Sequence, residues 1–127
     1  MLALRPEDIL TFHRKTVTDS DTGQTDGTKY FPDDGYWEME HHRRFAAQIT
    51  DTPGVAGTNT YTFEASLDAS NWVDKTNDWF GSANFTTSVI LDQSTPSLFK
   101  YGRIKRVRSS DGGNNDGGSV ISLNIGD

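Results

Sequence analysis

The only imidazoles in the chain are His13, His41 and His42, and imidazole is the side chain best able to hold a transition metal or pass a proton near neutral pH. Adjacent residues of a strand point to opposite faces, so His41 and His42 cannot close together on one ion. Asp19, Asp21 and Asp26 invite a calcium reading. Aligned at Asp19, however, the EF-hand pattern requires an oxygen ligand where Gly23 stands, glycine where Gln24 stands and glutamate where Tyr30 stands. An ordinary hydrophilic turn is expected there, with calcium in an irregular loop as the alternative. Glu38 and Glu40 lie two apart on one strand face, the placing of an acid pair, but exposed carboxylates on a small β domain are usually just solvated. Cysteine is absent, which removes thiolate metal sites, thiol nucleophiles and disulfides together. No G-x-S-x-G elbow, phosphate-cradling G-x-x-x-x-G-K or H-E-x-x-H occurs. We expect no catalytic residue, no metal site and no cofactor.

These residues are better suited to binding. Trp37, Trp72, Trp79 and Phe80 could stack on sugar rings. Trp72 restarts a strand directly after a turn and is expected in the core, whereas the polar neighbours Asn77, Asp78 and Asn84 mark Trp79 and Phe80 as the exposed pair. Basic residues crowd at Lys100, Arg103, Lys105, Arg106 and Arg108, with a smaller cluster at His41-His42-Arg43-Arg44. Alternation along a strand puts Arg106 and Arg108 on one face and Arg103 and Lys105 on the other, so only part of the strip can track a phosphate backbone. Twelve basic against eighteen acidic residues give a formal charge of −6, which further disfavours nucleic acid and anionic lipid as partners. A basic strip on an acidic chain suits contact with another protein, a sibling copy included. The candidate partner-binding residues are Phe12, Arg14, His41, His42, Arg43, Trp79, Phe80, Arg103, Lys105, Arg106 and Arg108.

The elements that must position them are short strands. In Tyr61–Val73, Phe63, Ala65 and Leu67 alternate with Thr62, Glu64 and Ser66, and Asp68-Ala69-Ser70-Asn71 supplies turn residues before Trp72, which predicts a β-hairpin. Phe45, Ala47 and Ile49 share one strand face, as do Ile121, Leu123 and Ile125. Phe85–Leu91 is rich in β-branched and aromatic residues and reads as a strand. Leu98–Ser109 is the longest strand candidate, with a bulge expected at Gly102, where the apolar phase changes. Asp19–Gly27, Thr50–Thr58 and Asp111–Gly118 are polar, glycine-punctuated loops. Residues 1–18 are expected to form an N-terminal arm or edge strand, with Ile9–Val17 able to pair with another chain's strand edge. Residues 19–127 then form a single all-β domain, an antiparallel β-sandwich of jelly-roll or immunoglobulin-like type. Met1-Leu2-Ala3-Leu4 is too short for a signal core, and no run approaches the roughly 18 apolar residues of a membrane span, so synthesis in the cytoplasm is expected.

The hairpin Phe63-Glu64-Ala65-Ser66-Leu67-Asp68 with Asn71-Trp72-Val73 resembles one that recurs in small β-sandwich structural proteins of tailed bacteriophages, head decoration (cement) proteins among them. Phe45-Ala46-Ala47-Gln48-Ile49 before it, and Phe99–Lys105 ahead of the closing strand Val120–Ile125, fall where that resemblance wants them. The resemblance implies a virion protein without catalysis, made in the host cytoplasm and carried on the capsid surface. Its partners would be the major capsid protein and itself, as a homotrimer or homodimer. The alternatives are a carbohydrate-binding β-sandwich that holds a host glycan, and a tail or connector component of the same fold.

Overall fold

The computed structural model describes residues 14–22, 27–32, 35–40, 42–52, 57–93, 96–109 and 118–126. Among the described residues nine strands form: β1 (Arg14–Thr22), β2 (Gly27–Phe31), β3 (Trp37–Glu38), β4 (Arg44–Thr52), β5 (Thr58–Ser66), β6 (Val73–Asp74), β7 (Val89–Asp92), β8 (Tyr101–Ser109) and β9 (Gly118–Gly126). The helical turn Thr76–Phe80, here α1, lies between β6 and β7. Sheet A has the order β1-β9-β4-β7 and sheet B the order β2-β8-β5-β6, with β3 also on β8. Every pairing is antiparallel.

β2 and β3 lie end to end along one edge of β8, with Phe31 opposite Ile104 and Trp37 opposite Gly102. Counted as one interrupted strand, they leave eight, and the chain crosses between sheets at nearly every connection. This is the order of a jelly roll. An immunoglobulin sandwich sets its first two strands side by side in one sheet, whereas β1 and β2 lie in different sheets here.

Period-two patterning fills the space between the sheets. Phe45, Ala47 and Ile49 of β4, Tyr61, Phe63 and Ala65 of β5, and Ile121, Leu123 and Ile125 of β9 are all buried. Phe45 is the hub of the aromatic end, with Trp37, Phe63, Trp79, Phe80 and Phe99 rings around it at centroid distances of 5.2, 5.7, 5.2, 5.9 and 6.3 Å. Such ring pairs add about 0.5–1.5 kcal/mol each beyond the area they bury.

Four expectations need correction. β8 runs through Gly102 without a bulge, with Ala65 opposite Gly102 and Phe63 opposite Ile104 in continuous register. The glycine is there for space, since a Cβ on it would lie 2.3 Å from Trp37 Cζ2. Leu67 does not continue the buried face of Phe63 and Ala65, because β5 ends at Ser66 and leaves Leu67 66% exposed. The strand expected over Phe85–Leu91 starts only at Val89, and Phe85 makes an isolated bridge to Tyr61. Within Ile9–Val17, residues 9–13 lie outside the described residues, while Arg14–Val17 pair with Gly126–Leu123 of the same chain. β1 extends to Thr22 at the edge of sheet A, so the boundary at residue 18 falls inside a strand.

Candidate functional site

The hairpin between β5 and β6 is fixed by one carboxylate. Asp68 Oδ1 accepts from Ser66 Oγ at 2.9 Å and from the amides of Ser70 and Asn71 at 2.9 and 2.8 Å, while Asn71 Nδ2 donates to Oδ2 at 2.8 Å. Hydrogen bonds from the backbone of Asn71 and then Ser70 hold this carboxyl well below the usual carboxylate range. The loop lifts Leu67 to face Val73 and Leu98 across an open apolar groove of about 530 Å³, floored by Ala65, Trp79 and Phe99. Val73 is 61% and Leu98 83% exposed.

α1 places Trp79 in that floor. Asp74 Oδ1 accepts from the Thr76 amide at 2.9 Å and its hydroxyl at 2.7 Å, and Thr76 Oγ1 accepts from the Phe63 amide at 2.8 Å. Gly81 closes the turn in the left-handed region, with φ 71°. The Trp79 ring lies 5.2 Å from Phe45 and 4.9 Å from Phe99.

A second feature covers the outer face of sheet B. The Arg103 guanidinium sits 3.9 Å from the Tyr30 ring centroid and 4.2 Å from that of Trp72, and its Nε donates to Glu64 Oε1 at 2.6 Å. Tyr36 extends the array, 6.0 Å from Trp72 and 5.3 Å from Tyr101. Cation–π contacts of this kind contribute about 0.5–1 kcal/mol in the open and about 2 when desolvated. Side-chain exposures of 19% for Arg103 and 14% for Glu64 place the pair toward the desolvated limit. The planar groups are thereby held in one arrangement.

The opposite end of the sandwich is polar inside. Tyr61 OH donates to Asp51 Oδ1 at 2.7 Å and makes a short hydrogen bond with Ser119 Oγ. Asn59 Nδ2 donates to Asp51 Oδ1 at 2.8 Å, and Arg108 Nη1 donates to Asn59 Oδ1 at 3.3 Å. Burial pushes the Tyr61 hydroxyl far above its ordinary value; the Ser119 hydrogen bond opposes this and the one to Asp51 adds to it. A serine, a tyrosine and a carboxylate in line suggest a proton relay. With Tyr61 and Ser119 both buried, they instead tie β4, β5 and β9 together.

The predicted contact residues are scattered by this geometry. Arg106 and Arg108 share a face, as alternation requires, but it is the inner one: both are buried, because Ile104 has the same parity and points into the core. Arg103 and Lys105 take the outer face. Trp79 and Phe80 are packed against the core instead of standing free, because the helical turn folds them under Phe45. Trp72, expected in the core, lies outside on Arg103. His42 is buried and Arg43 exposed. Arg14 stands opposite Gly126 in β1, and Phe12 and His41 lie outside the described residues. The sequence reading missed Tyr30, Tyr36, Tyr101 and Glu64 as site residues. The outward parity of Arg103 was a usable signal, but the cross-strand stack was not a local one. Among the described residues no group of three or more His, Asp or Glu could hold a metal, and no helix is long and apolar enough to cross a membrane.

No protein-family model matches this sequence, and no curated protein sequence matches it. Among solved structures the chain is similar to the SPBc2 prophage-derived protein YomS, at TM-score 0.54 and 12% identity over 87% of this chain and 94% of that one. Weaker likenesses are to VP2 of the infectious bursal disease virus subviral particle, at TM-score 0.48 and 11% identity over 89% of this chain and 32% of that one, and to the decameric BFDV capsid protein, at TM-score 0.42 and 8% identity over 89% and 94%. What the likeness to the prophage-derived protein shows is a shared β-sandwich fold.

Proposed function

We propose that this chain is a non-enzymatic virion structural protein, a decoration (cement) protein that binds the outer capsid, contacts the major capsid protein and its own copies, and stabilises the shell by bridging subunits. The observation that carries the reading is the Tyr30–Arg103–Trp72 stack, with Tyr36 and Tyr101 beside it. Trp, Tyr and Arg are the residues that dominate binding energy between proteins, and here they are preorganised on an open sheet face. The fold shared with a prophage-derived protein supports a phage setting. A protein that binds the assembled shell and not the free subunits stabilises the shell by mass action, about 2.7 kcal/mol per site at a hundred times Kd.

Quantitative mass spectrometry of native particles tests location, with a copy number matching the shell expected and one matching the tail, or none, against it. Trp72→Ala should weaken particle binding by roughly 30-fold, the equivalent of about 2 kcal/mol, while leaving the core intact. Unchanged binding for both Trp72→Ala and Arg103→Ala would remove the basis of the reading. The same array favours a second reading, a carbohydrate-binding module, because Tyr36 presents an exposed ring 6.0 Å from Trp72, which itself stacks on the Arg103 guanidinium. A glycan-array signal abolished by Trp72→Ala, with no particle binding, would select it.

A further inference from the structure

We propose that the outer face of sheet A is a self-association surface, through which two copies of this chain pack back to back about a two-fold axis. Because Phe45, Ala47, Ile49, Ile121, Leu123 and Ile125 are buried, the alternate residues of β4 and β9 face outward. The register sets Ser122, Gln48 and Ile90 in one row across that face, and Val120 and Thr50 in the next. Asn124, Ala46 and Asp92 flank them on one side, Gly118 and Thr52 on the other. The β1 residues opposite these rows, Thr16, Thr18 and Ser20, are uncharged as well.

Asp92 is thus the one charged residue in these rows, on a chain with twelve basic and eighteen acidic residues. Lys, Glu and Asp are the residues depleted from the core of a protein interface, where every group must give up its water. Gln48, Thr50 and Thr52 are exposed, and Ile90 and Val120 add apolar surface at 74% and 41% exposure.

Charge selects a second copy as the occupant. The formal charge is −6, so copies repel one another wherever charged faces meet. Sheet B presents Glu64, Arg103 and Lys105 outward, and the groove rim presents Asp68 and Lys75. Two sheet A faces instead approach with no like charges between them except at Asp92. β7 is an edge strand, so Asp92 stands at the margin. In an aligned packing with the axis along the strands, the two carboxylates lie three strand spacings, about 14 Å, apart. That exceeds the screening length of about 8 Å at physiological salt. A two-fold contact also uses one patch twice and needs no second complementary surface.

Area sets the strength. Four strands about 4.8 Å apart, over Ala46–Thr52 at about 3.4 Å per residue, give a face of roughly 450 Å² per copy. A standard interface takes about 800 Å² from each partner, so the free dimer is weak and reversible. The contact deepens the decoration reading and rests on it only in that copies meet. Copies held side by side on a shell experience an effective concentration in the millimolar range, where a weak contact closes, and the sheet B array stays free for the capsid.

Sedimentation equilibrium of the full chain, without particles, should show a reversible dimer with a dissociation constant of about 10 μM to 1 mM. Gln48→Lys with Thr50→Lys puts cations from both copies into the middle of the contact and should weaken the dimer at least tenfold. The same change lowers the net negative charge, so nonspecific association would respond in the opposite sense. Ile90→Lys alone, at an exposed position on the edge strand, should also weaken it, and Leu98→Lys at the groove should leave it unchanged. A chain that stays monomeric at about 1 mM, or a dimer lost on Leu98→Lys and kept in both sheet A variants, would overturn the proposal. Particle binding by Trp72→Ala reads the sheet B array alone, so the decoration reading survives or fails by a separate measurement.

Discussion

Gly102→Ala should destabilise the protein by about 2–4 kcal/mol. The added Cβ would lie 2.3, 2.5 and 2.8 Å from Cζ2, Cε2 and Cη2 of Trp37, where carbon atoms rest at about 3.5 Å or more. The indole would have to retreat by roughly 1 Å, and it has nowhere to go. Trp37 is buried, its Nε1–H donates to Met39 Sδ at 3.1 Å, and its ring packs on Phe45 at 5.2 Å. Overpacking alone costs about 1–3 kcal/mol, and a side chain forced off its rotamer adds about 0.5–1.5. Urea unfolding should show a lower midpoint at unchanged slope, and thermal unfolding a drop on the order of 10 °C. The cause can be isolated, because Trp37→Phe removes the benzo ring that the methyl would strike. In that background Gly102→Ala should cost under about 1 kcal/mol, giving a coupling of about 1–3 kcal/mol between the two sites. A parent-like Gly102→Ala, or strictly additive costs, would refute the steric account of this glycine.

Two further predictions concern pH. Asp68 has a lowered pKa in the folded state, so its contribution is complete above the usual carboxylate range and is lost as pH falls below it. Asp68→Asn should flatten the acid limb of the stability curve, and an unchanged limb in urea titrations would contradict the hydrogen bonds at this turn. Tyr61 has the opposite sign: its raised pKa keeps it protonated in the fold while the unfolded chain ionises near the ordinary tyrosine value of 10.0. Its contribution is therefore present below that pH and lost above it. Tyrosinate absorbance should show Tyr61 silent near pH 10 until the protein unfolds, and Tyr61→Phe should flatten the alkaline limb while costing about 1–2 kcal/mol at neutral pH through its lost hydrogen bonds.

Sequence legibility followed the range of the interactions. Alternation along one strand is local, so the buried faces of β4, β5 and β9 and the hairpin at Asp68 could all be read from spacing. The same rule gave Arg106 and Arg108 a common face but did not say which. The parity of Ile104 would have pointed them inward, against the expectation that arginine stays in water. Trp72 and Trp79 exchanged places for a non-local reason. One is drawn onto Arg103 from across the sheet, and the other is carried under Phe45 by a helical turn of five residues that shows no helical period. Gly102 looked like a strand defect because the residue needing its space, Trp37, lies far away in sequence.

The interior divides into two halves with different consequences. Around Phe45 the sheets are joined by rings, and the groove, α1 and the β5–β6 hairpin are all mounted on those rings. Near Asp51, Tyr61 and Ser119 they are joined by hydrogen bonds between buried polar groups, which fix one arrangement of strands more than they add net stability. The groove therefore inherits its shape from the half held by packing, where each side chain is locked by several neighbours. The outer array depends on neither half. Its residues hold one another from above the sheet, through Arg103 stacked between Tyr30 and Trp72 and bonded to Glu64. Substitutions there change the outer face without disturbing the core.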